Sequence, residues 1–232
     1  MRRRKEAGRA SNFFINIGLV LVVCVLYFVT SNHDALSVLP VMAPVYRGSA
    51  RDSVALQLVV DWNASAISGI MDTLEEADVN ITFAVSGEWA RENPALLVRM
   101  AAEGHEIAVI GDRPALDGKL SEVVEDVEKA VQSVKEICGY NVRLYYSGER
   151  AQAVSAKAAE KLGLRQVLCT ADLLCAKGSA EDIVLRALDA PIQGSILLLQ
   201  PTKAAQQALP VLLEQFEQKG LRVTGTSGVL TG

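Results

Sequence analysis

The sequence has few of the side chains that usually bind a catalytic metal. Its 232 residues contain two histidines, His33 and His105, and four cysteines. A catalytic zinc site normally keeps three protein ligands and one open position. The spacing of the cysteines also matches no zinc-binding pattern. A metal centre rich in histidine is therefore excluded.

Outside the first twelve positions, basic residues are outnumbered by acidic ones. The formal net charge of −4 is made up of +4 on residues 1–12 and −8 on the rest of the chain. An acidic surface does not attract nucleic acid or an anionic wall polymer through bulk charge. We therefore expect no nucleic-acid partner, and any recognition of an anionic polymer would have to be local.

A segment without charge, residues 13–30, follows the basic tail. Eighteen uncharged and mostly apolar residues are just long enough to cross a bilayer as a helix. The basic flank favours a cytoplasmic N-terminus, which places the rest of the chain outside the cell. A cleaved signal peptide is the alternative, but no A-x-A-like cleavage site follows. The sequence thus predicts a single-pass protein of the cell membrane, in contact with the lipid bilayer through residues 13–30.

Four regions follow from this reading: a cytoplasmic tail (1–12), a transmembrane anchor (13–30), a tether (31–52) and one domain (53–232). The tether contains Pro40, Pro44 and Gly48 and has no periodic apolar face. About 180 residues remain, which is enough for one domain with a proper core. Three cysteines lie in it, Cys138, Cys169 and Cys175, and a bridge between the last two is open in an oxidising compartment.

Strand and helix patterns alternate through the domain. Short runs rich in Val, Ile and Leu predict seven strands, at 54–60, 80–85, 106–110, 142–146, 166–169, 195–199 and 221–224. Amphipathic patterns and capping residues predict helices at 121–137, 180–188 and 203–219, with the charged side chains of the first in solvent. Such an α/β alternation favours parallel strands with outer helices, either a barrel or an open sheet. Ligands of these folds bind at the C-terminal ends of the strands.

Several stretches, in order, resemble the polysaccharide deacetylases of the NodB-homology type, which are carbohydrate esterase family four. They are 54–56, 81–90, 92–94, the Gly-His-Glu-Ile of 104–107, 194–199, 201–202 and 208–210. The similarity is greatest to the sporulation-associated branch of Gram-positive bacteria. It implies a distorted (β/α) barrel of about seven parallel strands, here preceded by one transmembrane helix. It also implies a hydrolase family that uses a divalent metal such as zinc.

The residues that carry the family's chemistry are replaced in this chain. Val59 and Val60 occupy the positions of the family's aspartate pair, and Asp61 follows one residue after them. Ile110 and Pro114 occupy the positions of the two histidines that bind the metal in the family. Further on, the motif arginine, an Asp-Trp pair and the late catalytic histidine are replaced by Leu144, Cys175-Ala176 and Gln200. The resemblance therefore implies no metal cofactor and no catalytic residue, and it makes His105 a structural histidine that is packed and hydrogen-bonded.

What remains near the strand ends is a candidate vestigial pocket of polar and aromatic residues. Its members are Asp61, Trp62, Asp112, Tyr145, Tyr146, Asp172 and Gln200. The interpretation is a pseudoenzyme whose partner is cell-wall glycan or an envelope protein. One alternative is an active carbohydrate N-deacetylase with a displaced site, for which Asp61, Asp112 and Asp172 must converge. Another is a structural protein of the envelope or of sporulation, which makes its contacts through outer helices such as 121–137.

Overall fold

The computed structural model describes residues 43–62, 65–113, 118–150 and 152–230. The segment predicted as a membrane anchor, residues 13–30, lies outside these ranges. Within them, no helix combines the length and the apolar character needed to cross a bilayer.

A parallel sheet forms the centre of the domain. Its strands are β1 (Ser53–Val60), β2 (Thr82–Ser86), β3 (Glu106–Gly111), β4 (Leu144–Tyr146), β5 (Arg165–Val167), β6 (Ala171–Asp172), β7 (Ile196–Leu199) and β8 (Arg222–Thr224). The order across the sheet is β5-β4-β3-β2-β1-β7-β6, and β8 pairs with the first residues of β1. All seven predicted strands are confirmed. Strand β6 was not predicted, because two residues are too short to show a periodic pattern.

Helices follow most strands, and all but the last cover one side of the sheet. They are α1 (Ile67–Glu76), α2 (Gly87–Glu92), α3 (Pro94–Ala102), α4 (Leu120–Cys138), α5 (Gln152–Lys161), α6 (Ala180–Asp189), α7 (Lys203–Gln218) and α8 (Thr226–Leu230). The three predicted helices correspond to α4, α6 and α7. Ser179 and Asp182 form a reciprocal capping box at the start of α6, and the Thr202 hydroxyl accepts a hydrogen bond from the Ala205 amide at the start of α7.

The main core lies between the sheet and these helices. Alternate residues of β1, namely Leu56, Leu58 and Val60, are buried against the helix layer together with Trp89 and Phe216. Burial of each large apolar side chain contributes about 1.5–3 kcal/mol before the cost of ordering it. The other face of the strands points into the curved interior of the sheet. That interior therefore decides what the domain can bind.

Helix α8 closes the end of the interior where the strands begin. The Thr226 amide donates to the Thr82 hydroxyl over 2.7 Å, and the Thr226 hydroxyl donates to Gln57 Oε1 over 3.2 Å. The Ser227 amide donates to Glu106 Oε2, which also accepts from Thr82. Polar side chains in the middle of β1 and at the start of β2 and β3 thus fix α8 at this end. We call the opposite end, where the strands have their C-termini, the mouth.

Residues 43–50, which the sequence assigns to the tether, pack into the sheet. Val45 pairs in parallel with Val167 of β5, and Arg47 pairs antiparallel with Ser195, just before β7. The Gly48 amide donates to the Gly194 carbonyl over 2.7 Å. An unpaired strand edge exposes a row of backbone donors and acceptors. The segment satisfies such groups in the gap between β5 and β7, so residues 43–50 pack with the domain, which the sequence predicted to begin at residue 53.

Candidate functional site

Beneath the mouth lies a group of buried apolar side chains, which we call the apolar floor. Its members are Ala84, Ala108, Ile110, Leu144 and Val167, and Val59 and Tyr146 pack against it. Ile110 has only 4% of its surface exposed. Val59, one position of the family's aspartate pair, and Ile110, one position of its metal histidines, therefore contribute hydrocarbon to one continuous contact.

A divalent metal does not fit this floor. Zinc is bound by thiolate, imidazole or carboxylate groups, and a hydrocarbon surface offers it no lone pair. In the part of the chain that the structure describes, no group of three or more His, Cys, Asp or Glu side chains could hold a metal ion. Pro114, at the other histidine position, lies outside the described residues. The floor therefore offers no ligands through which a metal could take part in a reaction.

A polar group lies at the rim of the floor, where Tyr146, Cys169 and Asp172 meet. Tyr146 and Cys169 are in hydrogen-bond contact, and burial raises the pKa of both groups. The nearby Asp172 carboxylate raises both pKa values further because it opposes a second negative charge. The phenol and the thiol are therefore neutral near pH 7. They can exchange hydrogen bonds with a ligand, but the thiol is a poor nucleophile.

The end of β1 contributes Asp61 and Trp62. Strand β1 stops at Val60, and both residues lie in the following bend. Burial raises the pKa of the Asp61 carboxyl, while backbone hydrogen bonds from Asp61 and Trp62 partly oppose the shift. The Trp62 side chain is 74% exposed. An exposed indole at the mouth offers a flat apolar face to a ligand.

On the β6 and β7 side of the mouth are Asp172 and Gln200. The exposed Asp172 accepts a hydrogen bond at Oδ1 from the Leu174 amide, and it fixes the turn in which Leu174 has a positive φ of 47°. Gln200 is half-buried just after β7, and its carbonyl accepts from the Thr202 amide. The structure thus leaves a carboxylate and an amide on this side of the mouth.

Two members of the predicted pocket, Asp112 and Tyr145, do not line the mouth. Asp112 is buried and forms ion pairs with Arg91 of α2 (2.7 Å) and Lys129 of α4 (2.5 Å). Burial alone would raise the pKa of Asp112, but the hydrogen bonds and charges of Arg91 and Lys129 outweigh it, so the pKa is lowered. Tyr145 is fully buried on the helix side of β4. Its position follows from strand alternation, which sends neighbouring Tyr146 to the interior.

A buried polar network that the sequence did not predict lies behind Tyr145. Arg150 Nη2 donates to Asp126 Oδ2 over 2.9 Å and to the Arg113 carbonyl over 2.8 Å, and Nη1 donates to the Tyr145 hydroxyl over 3.3 Å. Gly111 makes room for it, since a Cβ there would lie 2.1 Å from Asp126 Oδ2. The expectation that the charges of helix 121–137 are all solvated is wrong for Asp126. A signal was present, because Asp126 lies three residues after buried Val123 and therefore on the apolar stripe.

His105 has the structural role that the sequence predicted. It is 3% exposed, its Nδ1 accepts from the Ile81 amide over 3.3 Å, and its ring packs edge-on against Phe83 at 5.0 Å between centroids. It lies at the start of β3, far along the strand from the mouth. The three cysteines of the domain are free thiols, so the bridge left open between Cys169 and Cys175 is not formed.

Comparison with known families agrees with this architecture. The family model described as polysaccharide deacetylase matches residues 52–167, half of the chain. An uncharacterised protein of Bacillus subtilis, YlxY, is 27% identical over 183 residues, which are 76% of this chain and 57% of that protein. The peptidoglycan-N-acetylglucosamine deacetylase PgdA of Listeria monocytogenes is 28% identical over 183 residues, 76% of this chain and 38% of PgdA. The chain thus spans only part of the length of these relatives.

Solved structures share the fold at lower identity. BA3943 of Bacillus anthracis, described as a pseudoenzyme of carbohydrate esterase family four, superposes with a TM-score of 0.73 at 21% identity, covering 81% of this chain and 68% of that one. A BA3943 mutant with restored enzymatic activity gives the same TM-score at 22% identity, covering 81% and 71%. PdaA of Bacillus subtilis, a family 4 carbohydrate esterase, also gives 0.73 at 18% identity, covering 80% and 84%.

Proposed function

This chain belongs to the polysaccharide deacetylase family, and we propose that it is a pseudoenzyme that binds cell-wall glycan at the mouth of its barrel without hydrolysing it. The domain is held at the outer face of the cell membrane by an anchor at residues 13–30. Turnover is absent because the side chains that would hold a metal and move protons have been replaced. The relationship to sporulation proteins makes the spore envelope one setting for this role.

One observation carries the proposal, namely the packing of Val59 and Ile110 into the apolar floor. Family chemistry needs a metal to polarise the acetamide carbonyl and to activate a water. An aliphatic surface does neither, and desolvating an ion above it without ligands would be costly. The domain keeps the family fold, but aliphatic side chains occupy the place where the family binds its metal. This combination favours ligand binding over catalysis.

The surroundings of the floor are suited to a sugar. Sugars bind where a flat aromatic face meets a few hydrogen-bonding groups. Trp62 supplies the exposed face after β1, while Gln200 follows the neighbouring strand β7 and Asp172 ends β6, so both supply acceptors close by. Tyr146 adds a neutral hydroxyl at the rim. The groups that remain can therefore exchange hydrogen bonds with the hydroxyl and amide groups of a neutral sugar.

An active deacetylase with a displaced site is the competing function. It would need Asp61, Asp112 and Asp172 to act on one substrate. Asp112 is held between Arg91 and Lys129 beneath the helices, so its carboxylate is already neutralised and buried. Only two of the three carboxylates remain near the mouth, which disfavours this alternative.

Binding of the purified full chain to insoluble peptidoglycan tests the proposal. We expect the protein to sediment with peptidoglycan and Trp62→Ala to weaken the association by about threefold to tenfold, because a stacked aromatic contact is lost. Tyr46→Ala is the matched control, since Tyr46 is also an exposed aromatic residue, at 54%, but belongs to the segment between β5 and β7. Equal losses in the two variants, or no sedimentation of the wild type, would overturn glycan binding at the mouth.

A further inference from the structure

A cavity lies at the end of the sheet opposite the mouth, where β4 and β5 begin. Its volume is about 580 Å³, and its walls come from β4, β5, α5 and α8. This volume is within the range of sites that bind small molecules, roughly 300–1,000 Å³. Since the floor and the closing helix α8 separate the cavity from the mouth, a ligand here would leave glycan binding unaffected.

Much of the cavity wall is hydrocarbon. Leu144, Leu164 and Leu230 contribute to it, together with Ala156 and Ala159 of α5. The two alanines are small, so the helix surface is recessed where these side chains face the cavity. An apolar group placed in the recess would remove this surface from water, which is favourable.

Two arginines supply the positive charge of the wall. Arg143 precedes β4 and Arg165 begins β5, and the Arg165 amide donates to the Arg143 carbonyl over 2.9 Å. Both residues are exposed, and no hydrogen bond or ion pair joins either guanidinium to another group within the described ranges. Glu160 also lines the cavity. With two cations and one carboxylate, the wall carries a net charge of +1 and is complementary to a single anionic group.

We propose that this cavity binds a small amphiphilic anion, in which one phosphate or carboxylate group is carried by an apolar group. The anionic oxygens accept hydrogen bonds from Arg143 and Arg165, whose planar guanidinium groups match the geometry of both anions. The apolar group occupies the recess beside Ala156 and Ala159. The ligand can be soluble or can be the headgroup region of an anionic lipid, since both present this chemistry.

Titration calorimetry of the purified full chain with phenyl phosphate tests the site. We expect phenyl phosphate to bind about tenfold more tightly than inorganic phosphate or benzyl alcohol, which each carry half of the recognised features. The double variant Arg143→Gln with Arg165→Gln should weaken phenyl phosphate binding by about tenfold or more. Lys157→Gln with Lys161→Gln is the matched control, because it removes two positive charges from exposed positions of α5 that do not line the cavity.

Three results would overturn the proposal: no binding of phenyl phosphate, equal binding of phenyl phosphate and inorganic phosphate, or equal weakening in both double variants. Melting temperatures of the two double variants show that a loss of binding is not a loss of folding. Vesicles of phosphatidylglycerol then identify the source of the ligand. Displacement of phenyl phosphate by the vesicles assigns a lipid headgroup to the cavity, and retention assigns a soluble anion. Peptidoglycan binding of the arginine variant should equal that of the wild type.

Discussion

Arg150 and Asp126 form an ion pair inside the protein, with Nη2 2.9 Å from Oδ2 and side-chain exposures of only 6% and 5%. The same guanidinium also binds the carbonyl of Arg113 and the hydroxyl of Tyr145. The loops after β3 and β4 are thereby joined beneath the mouth. A buried charge pair therefore links these parts of the barrel.

Removing one partner of this pair should strongly destabilise the domain. Asp126→Asn leaves a buried guanidinium without its counter-charge, and breaking such a pair costs about 3–5 kcal/mol. The free energy of unfolding in urea measures the change. Asp52→Asn is the control, because the Asp52–Arg222 pair has side-chain exposures of 66% and 77% and should contribute no measurable stability. Equal effects of the two substitutions would contradict the account.

Replacing both partners separates the cost of an unpaired buried charge from the cost of the lost hydrogen bonds. In the double variant Asp126→Leu with Arg150→Met, no unpaired charge is left behind, so we expect it to be more stable than Asp126→Asn. A double variant that is less stable than Asp126→Asn would show that the hydrogen bonds to Arg113 and Tyr145 dominate.

The buried His105 should make stability depend on pH. Burial lowers the pKa of His105 below 6.5, although the charge of Glu103 opposes the shift. The unfolded chain therefore binds the proton first, and this contribution is fully present above about pH 6.5. It is lost as the pH falls from 6.5 through the folded pKa, by up to about 1.4 kcal/mol per pH unit. His105→Gln should lack this component when unfolding free energies are compared at pH 7.5 and pH 5.5. Parallel profiles for variant and wild type would refute it.

Restoring a single family histidine should not restore a metal site. Ile110→His places an imidazole in the apolar floor, whose members Ala84, Ala108, Leu144 and Val167 offer a metal no further ligand. We expect a loss of about 2 kcal/mol or more from the buried polar group and the lost packing. Ile110→Val is the control and should cost about 1 kcal/mol. Melting curves with and without zinc provide the test, and a large stabilisation of Ile110→His by zinc would contradict the proposed absence of ligands.

Sequence patterns were sufficient where one physical signal dominated. The strands at 54–60 and 106–110 and the helix at 121–137 were found because apolar spacing follows the geometry of the element. The role of His105 came from the resemblance, and its burial confirms that role. In contrast, the partner of Asp126 could not be read from the sequence. It is Arg150, 24 residues away, and the pairing of β3 with β4 brings the loop after β4 close to helix α4, which contains Asp126.

The candidate pocket shows the same limit. Tyr145 and Tyr146 are neighbours in sequence, but strand alternation sends one into the helix-side core and the other to the mouth. In a strand of three residues, the apolar pattern is too short to show which side chains point to which face of the sheet. Asp112 lies just after β3 and was therefore expected at the mouth. The charges of Arg91 and Lys129 hold it beneath the helices instead, and this contact depends on tertiary packing.

We propose that the mouth neither holds a divalent metal nor turns over an acetylated sugar. The decisive experiment measures acetate release and metal content on the same sample of the purified full chain, offered N-acetylated chitin oligomers and peptidoglycan with added zinc or cobalt. We expect no acetate above the blank and far less than one metal ion per chain. Stoichiometric metal together with acetate release would contradict it, because ligands other than histidine would then hold a working centre.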